Sequence, residues 1–213
     1  MTRGVISAGA SRPERPGRTL VLGIGNILWA DEGFGVRAVE ELHRRVVVPD
    51  DVTLMDGGTQ GLYLVQYVCE AWNLLVFDAI DYGQAPGTLT VVRDAEVPRF
   101  RGCRALSLHQ TGFQDVLSAA DLLGRSPRRL TLIGVQAGDL ETWGGSLTAA
   151  VKNRIDEALN LAREELAAWG QPVTERARPL PVGGAGLLAP GLDAVSYEAA
   201  GPAPPRPTAR AEG

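Results

Sequence analysis

The sequence predicts an α/β fold built on an open, mostly parallel β-sheet. Short apolar runs without polar alternation recur along the chain, which is typical of strands covered on both faces. Segments with apolar residues at helical spacing separate most of these runs. The run at residues 19–24 also leads directly into a turn rich in glycine, where Gly23, Gly25 and Asn26 allow backbone conformations that β-branched residues avoid. Ligands of open α/β sheets bind beyond the carboxyl ends of the strands, so we expect the functional site there.

Five strands and four helices are expected. The strands are predicted at residues 19–24, 52–59, 73–80, 87–94 and 130–135. The helices are predicted at residues 33–45 and 61–70, around residues 113–123, and from a cap at Ser146 or Thr148 to about Trp169. The connection between the third and fourth strands is too short for a parallel crossover, which favours an antiparallel fourth strand.

Composition restricts the classes of function. With 22% charged residues, 45% hydrophobic residues and a formal net charge of -4, the 213-residue chain has the composition of a soluble globular protein. It has no cluster of Lys and Arg interleaved with aromatic residues, so we expect no nucleic-acid partner. No apolar run approaches the roughly 20 residues that span a bilayer, and the N-terminus has no secretory h-region. Cys69 and Cys103 form no motif and are expected to be free thiols in a reducing cytoplasm.

The chain divides into three parts by composition. Residues 1–18 are expected to be a flexible leader, residues 19–169 a single α/β domain, and residues 170–213 a disordered tail rich in Pro, Gly and Ala. An acidic single domain with polar helix faces is compatible with a monomer.

Three ionisable residues stand at strand ends or helix starts. Glu32 follows the first strand, Asp78 lies near the end of the third, and His109 precedes the helix before the last strand. Parallel strands end at the same edge of a sheet, so the two carboxylates can face one crevice. Two carboxylates and an imidazole suit a divalent metal such as zinc, nickel or iron. Taken singly, each residue also has a structural interpretation. Asp78 could cap a turn, the carboxylate of Glu32 could interact favourably with the positive end of a helix dipole, and His109 could form a hydrogen bond with a carbonyl oxygen.

Other catalytic motifs fail. Gly23 and Gly25 after a strand imitate a dinucleotide-binding fingerprint, but its third glycine would fall at Leu28. Asp31 and Glu32 would also place negative charge where a pyrophosphate binds. The sequence contains no Gly-x-Ser-x-Gly elbow, His-Glu-x-x-His helix or Walker loop.

The combined motifs resemble those of the nickel-iron hydrogenase maturation endopeptidases. The resemblance rests on the stretches GIGNILWADEGFGVRAVEEL, DGGTQGLYL, VFDAIDYGQAPGTL, SLHQTGFQDVL and LTLIGVQ, in this order, within residues 19–168. It implies a three-layer α/β/α sandwich with a five-stranded, mostly parallel sheet that includes one antiparallel strand. It also implies an endopeptidase that removes a short C-terminal extension from the precursor of the hydrogenase large subunit after nickel insertion.

By the matching motifs, the resemblance implies that Glu32, Asp78 and His109 are the metal-contacting and catalytic residues. It implies that residues 56–59 lie beside the cleft and help to fit the substrate. The enzyme would bind no metal tightly itself, and its three ligands would engage the nickel already held by cysteines of the precursor. Cleavage would then depend on nickel insertion.

Two other functions are compatible with the same residues. A peptidase or amidohydrolase with its own zinc would hold that zinc stoichiometrically and hydrolyse short peptides. A non-catalytic chaperone for nickel or for the immature subunit would bind the precursor without changing its mass.

Overall fold

A five-stranded sheet lies between two layers of helices. The computed structural model describes residues 17–97, 108–181, 187–188 and 192–200, without the side chains of residues 108–112 and 200. The strands are β1 (Thr19–Ile24), β2 (Val46–Val47), β3 (Val52–Gly58), β4 (Asn73–Ile80), β5 (Leu89–Arg93), β6 (Arg129–Gln136) and β7 (Thr174–Glu175). The α-helices are α1 (Phe34–Arg45), α2 (Val65–Glu70), α3 (Leu108–Leu122), α4 (Ala149–Lys152), α5 (Ile155–Ala168) and α6 (Ala194–Ala200). Short 3-10 helices cover Ala30–Gly33, Gly61–Leu64 and Asp94–Glu96.

The sheet has the strand order β3-β1-β4-β6-β5. β1 pairs in parallel with β3 and β4, and β4 pairs in parallel with β6, whereas β5 runs antiparallel to β6. The expected mostly parallel sheet with one antiparallel strand is therefore confirmed. The short connection from β4 suggests a hairpin, yet β5 pairs with β6 instead, because β6 occupies the place beside β4.

Alternate residues of the central strands face two separate apolar clusters. Val21 and Leu75 pack with α1 and α5 on one face, whereas Leu20 and Leu74 pack with α2 and α3 on the other. All residues of β1 and β4 are buried, which explains their continuous apolar sequence. This arrangement confirms the three-layer α/β/α architecture.

The first turn of α1 lies directly against the carboxyl ends of β1 and β4. A Cβ atom on Gly35 would lie 2.2 Å from the carbonyl oxygen of Ile24 and 2.3 Å from that of Phe77. Only a glycine fits at this distance, so Gly35 sets how closely the helix approaches the edge where a ligand is expected.

The last long helix is not continuous. A turn at Asn153 and Arg154 separates α4 from α5, so the expectation of one helix is wrong in this detail. Thr148 precedes α4, but its hydroxyl does not cap the helix. It donates instead to the Oδ2 atom of Asp31, at 3.0 Å.

Parts of the region beyond residue 170, expected to be disordered, have described structure. β7 pairs antiparallel with β2. Gln171 donates to the carbonyl oxygen of Gly17 at 3.1 Å and to Oδ2 of Asp51 at 2.7 Å. The division of the chain into leader, domain and tail stays a prediction. Cys69 is buried, and Cys103 lies outside the described residues. Across the described part of the chain, every helix is too short or too polar to cross a membrane.

Candidate active site

The carboxyl ends of β1, β4 and β6 meet at one edge of the sheet, and the Gly-rich turn leaves β1 there. Asp78, near the end of β4, lies opposite Gly134 of β6. Gly25 has a φ of 136°, which side chains rarely adopt, and a Cβ atom there would lie 1.8 Å from the carbonyl oxygen of Glu32. Gly25 therefore allows the close turn that brings Glu32 to this edge.

Glu32 and Asp78 lie within electrostatic reach of each other. Glu32 is half-buried in the 3-10 helix Ala30–Gly33, and its N–H donates to the carbonyl oxygen of Trp29 at 2.9 Å. Asp78 is only 7% exposed. Burial raises the pKa of Asp78 well above its usual range; a hydrogen bond from the backbone of Ala79 lowers it, and the charge of Glu32 raises it further. That the two carboxylates face one crevice stays a prediction.

This pair favours the approach of a positive charge. Two neighbouring carboxylates repel each other when both are ionised, and burial disfavours each charge in addition. A divalent cation that is bound by an oxygen of each carboxylate offsets these costs. Carboxylate oxygens also belong to the usual ligands of the first-row divalent metals.

The third residue of the expected set is placed by its backbone alone. His109 is the second residue of α3, as expected for a residue that opens this helix, and its side chain lies outside the described residues. Among the side chains that are described, no three His, Cys, Asp or Glu residues form a metal-binding group. The joint ligand role of Glu32, Asp78 and His109 thus stays a prediction.

Asp31, the neighbour of Glu32, is fully buried and fixes a distant loop. Its Oδ2 atom accepts the N–H groups of Gly138 and Asp139 at 2.8 and 3.0 Å and the hydroxyl of Thr148 at 3.0 Å. Its Oδ1 atom accepts the N–H of Thr148 at 2.7 Å. Sequence reasoning noted this carboxylate but found no role for it, because nothing in the sequence distinguishes it from Glu32.

Asp56 lies in β3, one strand beyond β1 and near the carboxyl end of its strand. Its Oδ1 atom accepts the N–H of Gly58 at 2.8 Å. Burial raises the pKa of Asp56, whereas the bond from Gly58 and the positive charge of Arg37 lower it. The carboxyl end of β3 thus has a partly buried acid on the rim of the same sheet edge.

Arg37 connects this rim to the C-terminal segment. It forms a buried ion pair with Glu40 at 3.0 Å and donates to the carbonyl oxygen of Leu192 at 2.6 Å. Its guanidinium carbon lies 5.6 Å from the centre of the Tyr197 ring. Sequence reasoning missed Arg37, since an arginine on a surface helix gives no signal of burial.

Gln136 fixes the chain that follows Asp78. Its Oε1 atom accepts the N–H groups of Tyr82 and Gln84 at 2.8 and 3.2 Å, and its Nε2 atom donates to Asp81 at 3.1 Å. A polar residue at the end of a buried strand is the signal that singled out Asp78. The same signal could have found Gln136.

Comparisons with known proteins agree on one family. The family model described as HycI, hydrogenase maturation protease, matches residues 36–165. The hydrogenase expression/formation protein HupD of Bradyrhizobium diazoefficiens is 63% identical over 181 residues, which cover 85% of this chain and 94% of that protein. Among solved structures, the hydrogenase maturating endopeptidase HybD from Escherichia coli has a TM-score of 0.71 and 42% identity, and the match covers 75% of this chain and 98% of HybD. The NiFe hydrogenase maturation protease HybD from Thermococcus kodakarensis has a TM-score of 0.57 and 25% identity, with 70% of this chain and 99% of that chain covered.

Proposed function

The chain belongs to the hydrogenase maturation protease family, and on this premise we propose that it cleaves the nickel-iron hydrogenase large-subunit precursor only after nickel insertion. The family's activity is endopeptidase processing of hydrogenase large subunits. The bond cut would release the C-terminal extension of the precursor. The observation that carries the nickel requirement is the coupling of Glu32 with the buried Asp78 at one sheet edge.

In this proposal, nickel is part of the substrate. Glu32 and Asp78 supply carboxylate oxygens, and His109 supplies an imidazole nitrogen, to a nickel ion that the precursor already holds. These ligands are of the types that divalent nickel accepts. A precursor without nickel offers no cation to offset the repulsion between the two carboxylates, so its scissile segment is not held in the cleft.

Several residues hold these groups in position. The hydrogen bonds of Asp31 to the loop of residues 138–148 fix the 3-10 helix that carries Glu32. Gln136 fixes the chain after Asp78, and the backbone of Ala79 bonds the Asp78 carboxylate. A rigid support of this kind lowers the cost of orienting the substrate for cleavage.

The partner and the setting follow from the same proposal. The large-subunit precursor is the partner, and we propose that the enzyme acts on it as a monomer in the cytoplasm. Residues 19–169 would form the catalytic domain. The charge of -4 and the scattered basic residues support a protein substrate rather than a nucleic acid.

The intact mass of a nickel-loaded precursor, before and after incubation with this protein, tests the proposal. A matched nickel-free precursor is the control. We expect loss of a defined C-terminal peptide from the loaded form only. Cleavage of both forms would refute nickel recognition, and unchanged mass of a precursor that binds would favour the chaperone. Stoichiometric zinc together with hydrolysis of short peptides would favour the zinc peptidase.

The two histidines of the chain allow a matched test of the third ligand. His109→Ala should abolish cleavage of the loaded precursor. His43→Ala should retain it, because His43 lies in the last turn of α1, at the end remote from the cleft. Full activity of the His109→Ala variant would contradict the proposed role of His109.

A further inference from the structure

The C-terminal segment is fastened to α1 through Arg37. We call residues 192–200, which include α6, the strap. Arg37 donates to the carbonyl oxygen of Leu192 at 2.6 Å, and its guanidinium carbon lies 5.6 Å from the centre of the Tyr197 ring. The second distance is within the range of a cation–π interaction. Because Arg37 is only 8% exposed, these contacts are shielded from water, so the strap restricts the position of the guanidinium group.

The strap also contacts the loop that Asp31 holds. Glu198 accepts a hydrogen bond from the hydroxyl of Ser146 and forms an ion pair with Lys152 at 2.8 Å. Ser146 lies two residues before Thr148, whose N–H and hydroxyl both donate to Asp31. The strap and Asp31 therefore hold the same loop.

Each of these attachments leads to the sheet edge where the candidate site lies. The positive charge of Arg37 opposes the burial that raises the pKa of Asp56, so the guanidinium group lies within electrostatic reach of the carboxyl end of β3. The loop of residues 138–148 follows β6 and holds Asp31, the neighbour of Glu32. In the sheet, β3 and β6 lie on opposite sides of β1 and β4. The strap thus connects supports from both sides of the site.

Apolar packing does not explain why the strap is ordered. In the described part of the chain, neither apolar cluster contains a residue of the strap. Its side chains Leu192 and Val195 are 39% and 58% exposed. An isolated helix shorter than about 12 residues is marginal in water, and α6 has seven residues. Polar contacts with the body of the protein therefore hold the strap, and its release would leave the core intact.

We propose that the strap is a positioning element of the candidate active site, which holds Arg37 and the loop of residues 138–148 in place before the precursor arrives. The inference rests on the proposed function, since it takes the precursor as the substrate. Groups that are ordered in advance cost less to immobilise when a substrate binds. Loss of the strap contacts should therefore weaken binding of the precursor, whereas the bound complex should react at its usual rate.

A double variant of the full-length protein, Tyr197→Leu with Glu198→Gln, tests the strap. It removes the aromatic ring beside Arg37 and the charge that pairs with Lys152. We expect the KM for nickel-loaded precursor to rise about fivefold with kcat unchanged, which is the effect of having to immobilise one or two more side chains on binding.

Hydrogen exchange of the protein without precursor supplies a second readout. The N–H groups of Gly138 and Asp139, which donate to Asp31, should exchange several times faster in the double variant. The Tm should stay close to that of the wild type, because the described apolar clusters contain no residue of the strap.

Two single variants serve as controls. Tyr197→Phe retains an aromatic ring beside Arg37 and should retain the wild-type KM. Glu157→Gln makes the same change of charge in a different exposed ion pair, which Glu157 forms with Arg154 at 3.0 Å. This variant should leave both the KM and the exchange of the loop unchanged.

The outcomes separate the two proposals. If the wild-type protein cleaves the loaded precursor and the double variant leaves either the KM or the exchange of the loop unchanged, the strap proposal is refuted and the proposed function stands. A lower KM would also refute it, because the strap would then obstruct the cleft. A large fall in Tm with faster exchange throughout the protein would refute positioning and make the strap a structural element only.

A wild-type protein that cleaves no precursor would refute the proposed function. The exchange measurement would still decide whether the strap holds the loop, because it needs no substrate. Faster exchange at Gly138 and Asp139 in the double variant would support that hold, and unchanged exchange would refute it.

Discussion

Replacement of Asp31 by asparagine should destabilise the protein by about 3 kcal/mol. The buried carboxylate accepts four hydrogen bonds, and an amide can accept only some of them, because its nitrogen is itself a donor. The amide oxygen can retain the three donors that now bond Oδ2, each weakened by about 1 kcal/mol through loss of the charge. The amide nitrogen then faces the N–H of Thr148, which leaves a buried donor unsatisfied at a cost of about 1–3 kcal/mol. Relief of the buried charge offsets part of these costs.

Urea denaturation followed by circular dichroism measures this effect. A loss of about 3 kcal/mol should also lower Tm by roughly 6–12 °C for a domain of this size. Thr148→Val removes one of the four donors and should cost about 1 kcal/mol. Asp139→Asn, in the same loop, is the control and should cost less than 1 kcal/mol, because this carboxylate is partly exposed.

A small effect would refute the reasoning. If Asp31→Asn unfolds within about 0.5 kcal/mol of the wild-type protein, the carboxylate does not fix the loop of residues 138–148. A large effect should also lower the rate of precursor cleavage at temperatures where the variant is folded, since Glu32 is held by the same 3-10 helix.

Three further replacements test the site and its supports. Asp78→Asn should abolish cleavage yet stabilise the fold at neutral pH. Because the pKa of Asp78 is raised, the wild-type protein loses stability as the pH rises above the ordinary value of 3.8, by at most about 1.4 kcal/mol per pH unit. In urea denaturation, the Asp78→Asn variant should therefore be no more stable than the wild type below pH 3.8. Its advantage should grow above that pH. Gly35→Ala should cost about 1–3 kcal/mol or more and lower Tm, because its methyl group would overlap backbone carbonyls of β1 and β4. Arg37→Ala should cost about 3–5 kcal/mol by leaving Glu40 buried without its partner, and an Arg37→Met, Glu40→Leu double variant should recover most of that loss.

The sequence was sufficient to predict the five strands of the main sheet, and it predicts a candidate site at the edge where the parallel strands end. Buried strands with continuous apolar runs are recognisable locally, and parallel strands bring their carboxyl ends together, so Glu32 and Asp78 could be paired without coordinates. The neighbour of β5 could not be predicted in this way. The short connection between β4 and β5 favours pairing of these two strands. However, β6 forms eight register pairs with β4, although it is more distant in sequence, and it excludes β5 from that position.

The break between α4 and α5 also has no local signal. Val151, Ile155 and Leu159 continue at helical spacing across it, and the turn at Asn153 and Arg154 contains neither glycine nor proline. The interruption depends on how α4 packs, which apolar periodicity alone does not specify. The burial of Arg37 was missed for a similar reason, since its partners Leu192 and Tyr197 lie more than 150 residues away in the sequence.

The adjacent acids Asp31 and Glu32 differ in the capacity that each retains for a ligand. In a 3-10 helix, consecutive side chains point about 120° apart, so two neighbours cannot face the same environment. Asp31 is fully buried and has its oxygens bonded by four donors, which leaves it little capacity for a ligand. Glu32 is half-buried and couples to Asp78, whose ionisation is already opposed by burial. The hydrogen bonds of Asp31 make the 3-10 helix rigid and so hold Glu32 close to Asp78. The two neighbouring carboxylates repel each other, and an incoming cation can relieve that repulsion. Under the proposed function, the cation that relieves this cost arrives with the substrate.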